Sequence, residues 1–234
     1  MRGEFQIFAL ASLGIAAACA TVPAAGDPAV PVFAVAETVP VVTTNEDAAY
    51  DPAIWRNAAS PADSLIVATD KKAGLYVYGL DGKVKSFSEH PALNNVDLVD
   101  MGEAGVIVFA SDRSDLTSAR IVLYRLDTAS GALTELARLA TGPGEAYGIC
   151  GTRRDDKLVV YTAPKSGRIG EWEIALGDTL RARELRTMQV PSQPEGCAVD
   201  HRSGMLYIGE EAGGVWRFAP GTVTGELVAA VDGR

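Results

Sequence analysis

Eight side chains in this sequence could do chemistry, and they fall at two recurring places. Asp51, Asn95, Tyr147 and Glu195 each stand at the head of a short apolar run. Lys71, Arg113, Lys165 and Glu211 each stand at the end of the run that follows. Carboxylate and amide oxygens suit a hard divalent cation. Guanidinium and ammonium groups suit a phosphate-like anion. Gathered on one rim, these residues make a site for a divalent metal and an anion together. Each has a plainer reading when taken singly. Asp51 before Pro52 is a turn residue, Glu210-Glu211 a solvated strand end, and Lys71-Lys72 an exposed turn. Arg113 can pair with Asp112 or Asp115, and Tyr147 can simply pack. Their common place in a repeat is what raises them above that.

The elements that must position them are strands. The first unit reads Asp51 to Trp55, Leu65 to Asp70, then Leu75 to Leu80, ending at Asp81-Gly82. Short runs rich in Val, Ile and Tyr, bounded by Gly, Asp and Pro, read as strands, and Asp-Gly reads as a hairpin turn. The same order returns from Asn95, from Tyr147 and from Glu195, at spacings of 44, 52 and 48 residues. A multi-strand repeat of about 40–50 residues is the signature of a β-propeller. A β-sandwich also spaces short strands with turns, but it gives no reason to repeat a polar anchor at one strand head. The expected fold class is therefore all-β, a propeller of four-stranded antiparallel blades. In that architecture each first strand lines a central channel, so equivalent positions converge around one axis.

Length and charge bound the rest. The chain has 234 residues and a formal net charge of −9. That is enough for one sizeable domain. The acidic balance argues against nucleic acid, which needs a basic face. It leaves room for a phosphate ester held by a local cation cluster or by calcium. Residues 1–25 read as a signal peptide: Arg2, offset by Glu4, precedes an apolar run from Phe5 to Ala18 that is short for a membrane span. Two outcomes stay open, ordinary cleavage or a lipoprotein type with lipid on Cys19. Residues 26–36 read as a tether and 37–234 as the propeller domain. The chain is expected to be exported from a bacterial cell to the periplasm, the outer membrane or the medium. It would be monomeric and touch a membrane only through Cys19. Cys150 and Cys197 sit in first-strand runs at opposite parity, so alternation sends them to opposite faces, and two buried free thiols are expected.

The ordered motifs resemble the β-propeller phytases, calcium-dependent enzymes that hydrolyse inositol phosphates. The matching words are Asp51-Pro52-Ala53-Ile54-Trp55, Thr69-Asp70-Lys71-Lys72-Ala73-Gly74-Leu75, Leu93-Asn94-Asn95-Val96-Asp97, Ser111-Asp112-Arg113-Ser114, Tyr147-Gly148, Gln193-Pro194-Glu195-Gly196 and Leu206 through Glu211. They span about Glu37 to Arg234. The resemblance implies six blades, several calcium ions at the channel mouth and two neighbouring phosphate subsites. It implies calcium ligands at Glu37, Asp51, Asn95, the Val96 carbonyl, Glu195 and Glu211. It implies phosphate-binding cations at Lys71, Lys72, Arg113 and Lys165, with Tyr147 as a phosphate-contacting hydroxyl. Lys71, Arg113, Tyr147 and Lys165 would carry the catalysis of phytate hydrolysis, with inorganic phosphate released by a metal-activated water.

This sequence also departs from the pattern. Tyr50 stands where a carboxylate is usual before Asp51-Pro52, and Ser166 where an acidic residue usually follows the Lys. Its four repeats match the first four of six blades, so the sequence reads as a truncated propeller, and residues 1–234 alone are expected to hydrolyse phytate poorly. Two alternatives remain. One is another calcium-dependent propeller hydrolase, a lactonase or phosphodiesterase; the three cations weigh against a lactone. The other is a non-catalytic propeller that binds a protein or glycan.

Overall fold

The computed structural model of the protein describes residues 31–231 except Asn45. The signal-peptide run, Cys19 and the start of the tether lie outside the described residues. Residues 31–35 belong to a separate unit, Met1–Val35, and carry no strand or helix. The unit Ala36–Arg234 is built from four antiparallel meanders of four strands.

The first sheet runs β1 (Ala49–Trp55), β2 (Leu65–Asp70), β3 (Gly74–Gly79) and β4 (Val84–Glu89). The second runs β5 (Leu93–Asp100), β6 (Val106–Asp112), β7 (Ser118–Leu126) and β8 (Leu133–Pro143). The third runs β9 (Gly148–Arg154), β10 (Lys157–Ala163), β11 (Arg168–Ala175) and β12 (Arg181–Gln189). The fourth runs β13 (Pro194–Val199), β14 (Leu206–Glu210), β15 (Gly214–Phe218) and β16 (Glu226–Ala230). Each sheet keeps its strands in sequence order, as propeller blades do.

The first strands β1, β5, β9 and β13 lie side by side, so they form the inner wall. Apolar layers fill the gaps between consecutive blades. Val67, Val77, Val108 and Tyr124 pack between blades 1 and 2, Phe109, Ile121, Val160 and Trp172 between blades 2 and 3, and Tyr161, Ile169, Ile208 and Phe218 between blades 3 and 4. The middle strands β3 and β6 are buried throughout, whereas β4 alternates between exposed and half-buried. Among the described residues, blade 4 does not pack closely on blade 1, so the blades form an open arc. Ile54 on β1 and Val215 on β15 accordingly face outward, 62% and 37% exposed.

The expected hairpin at Asp81-Gly82 is present, as the Leu80–Lys83 loop closed by Gly82 N–H to the Gly79 carbonyl. Gly82 sits at φ +74°, a left-handed conformation that favours glycine.

The expectation of two free thiols is wrong. Cys150 and Cys197 form a disulfide, with Cα atoms 5.4 Å apart. The two cysteines do differ in strand parity, but the consequence is the reverse of the one expected. Opposite parity means opposite faces only within one sheet. Adjacent blades meet front to back, so opposite parity is what brings β9 and β13 side chains together. Cys150 lies in the layer that Cys197 also reaches.

Candidate functional site

Four turns at one end of the arc carry the candidate residues. Each follows the second strand of a blade, and each turn N–H bonds back to the approach of the first strand. Lys71 donates to the Ala48 carbonyl, Arg113 to Ala92, Lys165 to Glu145 and Glu211 to Gln193. The four are therefore equivalent, as the repeat predicts. In blades 1 and 2 a fully buried Asp fixes the turn: Asp70 accepts the Lys72 and Ala73 N–H groups, and Asp112 accepts Ser114 N–H.

The second set corrects the sequence reading. In three of the four first strands a bulge sets two residues against one. Tyr50 and Asp51 oppose Thr69, Asn94 and Asn95 oppose Ser111, and Glu195 and Gly196 oppose Gly209. The extra N–H is satisfied locally: Asp51 donates to Thr69 Oγ1 and Asn95 to Ser111 Oγ, each at 3.0 Å. Bulges of this kind re-aim side chains at sheet rims. Counted from the turn bonds, Tyr50, Asn94, Tyr147 and Glu195 share one position, and Asp51, Asn95, Gly148 and Gly196 share the next. The predicted ring of Asp51, Asn95, Tyr147 and Glu195 thus mixes two positions. Three-residue and two-residue offsets look alike in an unaligned repeat.

With that register, each blade pairs its strand-head residue with its turn residue. Lys71 Nζ lies 3.9 Å from the centre of the Tyr50 ring, so the Tyr50 departure has a role: it seats a cation. Arg113 donates to Asn94 Oδ1 at 2.9 Å. Lys165 Nζ lies 4.8 Å from the Tyr147 ring, and the Arg113 guanidinium 5.8 Å from it. In blade 4 the pair is Glu195 with Glu211, two carboxylates.

Acidic residues that the sequence reading did not single out complete the rim. Asp47 bonds Lys71 at 2.6 Å, and that bond holds its carboxyl below the usual range. Lys72 is half exposed and pairs with Glu46 at 3.3 Å. Glu145 touches Arg113 and lies 2.9 Å from Lys165. These residues sit in approach loops, where no apolar pattern marks them. Asp47, Lys71, Lys72 and Arg113 line one recess on the rim.

Asp51, Asn95, Asp97 and His201 line a second recess, in the channel. Asp51 Oδ2 accepts Val96 N–H and Asp97 Oδ2 accepts Gly151 N–H, each at 2.9 Å and each across a blade boundary. Burial raises the Asp51 carboxyl, and the bonds from Val96 and Asn95 oppose it. Burial pushes Asp97 up to about 6. A third recess, lined by Asn57, Asp63, Asp81 and Lys85, opens at the other end, away from these side chains.

Glu195 carries the clearest sign of a missing counter-charge. Its Oε1 is buried and has no hydrogen-bond partner. Burial raises its carboxyl, and the negative charges of Glu211 and Asp47 raise it further. Glu211 takes a 2.6 Å bond from Gln193. Gly148 is what lets Glu195 come so close to blade 3, because a Cβ there would meet the Glu195 carbonyl at 2.2 Å. Glu37 is not brought to this group. Its carbonyl lies against Gly82, in the loop at the far end of β3 from the Lys71 turn. Among the described residues, no three His, Cys, Asp or Glu side chains form a ready metal site.

A family model described as Phytase matches residues 6–234 of the chain. The chain is also 35% identical over 194 residues to the 3-phytase of Bacillus subtilis (strain 168), a match that takes in 78% of this chain and 50% of that protein. The chain spans about half the length of that curated relative.

Proposed function

The chain belongs to the phytase family, and on that premise we propose that its rim takes part in hydrolysing phosphomonoesters of inositol, phytate first among them. The observation that carries this is the convergence of Arg113 and Lys165, from two different blades, on a single oxygen. Side chains from separate blades that meet at one point can hold one phosphoryl group. Lys71 and Lys72 on the neighbouring blade would hold a second phosphate of the same substrate. The Tyr147 ring lies beside the two cations of the first subsite, 5.8 Å from Arg113 and 4.8 Å from Lys165, and would offer its hydroxyl to a phosphate oxygen.

Calcium is the cofactor proposed. The donor set fits a hard cation, because it is all oxygen: Glu195 and Glu211 on one side, Asp51, Asn95 and the Val96 carbonyl on the other. The buried, unpartnered Glu195 oxygen supports this fit. When bound, calcium would neutralise phosphate charge and lower the pKa of a coordinated water. The chain's own task is to bind and orient. Arg113 and Lys165 fix the equatorial oxygens, and the buried Asp112 turn holds Arg113 in place.

A second reading, binding inositol phosphates without hydrolysis, is favoured by the lack of a three-carboxylate set among the described residues. Inorganic phosphate release from inositol hexakisphosphate, with calcium and with chelator, tests both. Calcium-dependent release supports hydrolysis. Binding without release supports the second reading, and the absence of both binding and release sinks the proposal. Export, with ordinary cleavage or with lipid on Cys19, and a monomeric state belong to the same proposal. The Cys150–Cys197 disulfide supports an oxidising compartment. Mass spectrometry of the mature N-terminus checks it.

A further inference from the structure

Glu145 is the one member of the phosphate cluster with the wrong charge for phosphate. It ends the approach to β9, and its carbonyl accepts Lys165 N–H at 3.2 Å. Its side chain is mostly covered, at 19% exposure. Its Oε1 touches Arg113 and lies 2.9 Å from Lys165 Nζ, yet neither contact has hydrogen-bond alignment. The three groups are therefore held by charge, and donors on both cations remain free to turn toward a better acceptor. Arg113 is meanwhile anchored through its other terminal nitrogen to Asn94.

Two cations this close repel unless an anion lies between them. A carboxylate supplies one oxygen, off axis. A phosphoryl group supplies several oxygens and up to two charges, so it can align with both donors at once. We propose that Glu145 is a built-in anion for this subsite: it holds Arg113 and Lys165 together when the subsite is empty and weakens the hold on phosphate when it is filled. The proposal rests on the reading of these two cations as phosphate-binding. Glu145 touches the cations rather than the substrate, so it is a positioning residue. Its charge favours release of inorganic phosphate, the product that would otherwise block the next turnover.

The test is a phosphorus NMR titration of inorganic phosphate onto the full chain, at neutral pH, fixed ionic strength and with chelator present. Glu145→Gln is close to isosteric and removes the charge. It should bind phosphate roughly tenfold tighter than the unsubstituted chain, as loss of one nearby like charge at a partly screened site implies. Glu145→Asp keeps the charge and should stay within about twofold. Should Glu145→Gln fail to fold by circular dichroism, Glu145→Ser supplies a second neutral side chain. Equal or weaker phosphate binding by the neutral variant overturns the proposal, as does equal tightening by Glu145→Asp. Arg113→Ala on the Glu145→Gln background separates the two readings. Undiminished binding there, or no binding by any variant, sinks the phosphate subsite itself.

Discussion

Blades 1 to 3 and blade 4 use one backbone device for opposite electrostatic ends. In the first three, the turn residue is a cation with a neutral partner at the strand head: Lys71 over Tyr50, Arg113 on Asn94, Lys165 over Tyr147. In blade 4 both positions are carboxylates, Glu211 and Glu195, and Glu195 leaves a buried oxygen unpartnered. The blades also differ in how they are tied. Blade 1 is tied to blade 2, and blade 2 to blade 3, by carboxylates that accept N–H groups across the boundary: Asp51 from Val96 and Asp100 from the Trp55 indole, then Asp97 from Gly151. Blade 4 is tied to blade 3 by a covalent bond. The lesson is that one backbone device, repeated around the rim, divides positive and negative charge by blade. The blade that carries uncompensated negative charge is the one held covalently.

The sharpest way to break the comparison is to remove a cation. Arg113→Ala should lower phosphate release by about 10²–10³-fold, the usual loss for one oxyanion donor. The melting temperature should move little, because Lys165 still neutralises Glu145. An unchanged rate would return Arg113 to a surface ion pair.

Next comes the covalent tie. Cys150→Ser with Cys197→Ser, or reduction, should cost about 2–4 kcal/mol in denaturant unfolding. Blade 4 should show the first loss of amide-exchange protection. Uniform loss across all four blades would mean that blade 4 needs no special anchor.

Calcium probes the two carboxylates directly. At about 100-fold over its dissociation constant it should stabilise the fold by about 2.7 kcal/mol. Glu211→Lys rewrites blade 4 in the style of the other three. It should raise the melting temperature in chelator, by pairing with Glu195, and abolish the calcium-induced shift. A calcium shift that survives Glu211→Lys would place the ion elsewhere.

The smallest expected effect concerns acid. Asp112 is fully buried beside the Arg113 turn. Burial would raise its carboxyl, but the His90 ring 3.7 Å away and the Ser114 donors outweigh that and leave it at about 2. A depressed folded value gives stability that is present above the unfolded value of about 3.9 and is lost as pH falls toward 2. That contribution is about 2 kcal/mol at neutral pH. His90→Gln should shrink it and shift the acid midpoint of unfolding upward. An unmoved midpoint would show that Ser114 alone holds the carboxylate.

Much of the fold was legible because the inner three strands of each blade are apolar or end in turn residues. Leu65–Asp70, Val106–Asp112 and Leu206–Glu210 are found where the runs predict them. The outer strands β4, β8, β12 and β16 were not legible. Each is largely solvated: β4, β8 and β12 mix polar residues among their apolar ones without a clean alternation, and β16, though mostly apolar, is exposed throughout. In the site, the turn cations were legible because they end conspicuous strands. Asp47 and Glu145 were not, because a loop carboxylate looks the same whether it faces solvent or a neighbour's guanidinium.

By itself the sequence determined the repeat, the strand-and-turn alphabet of each blade, and which residue types are offered at each turn. Those follow from local physics: β-propensity, turn chemistry and the alternation of side chains along one strand. Only the tertiary structure decided which offers meet. Bulges in β1, β5 and β13 set Tyr50 with Asp51, Asn94 with Asn95, and Glu195 with Gly196 against one partner residue each, and so decide which of each pair faces the turn residue. Front-to-back packing of adjacent blades turned opposite parity into a disulfide. Both depend on relations between chain segments that lie about one repeat apart, 47 residues for the two cysteines. No local preference of the chain carries that information.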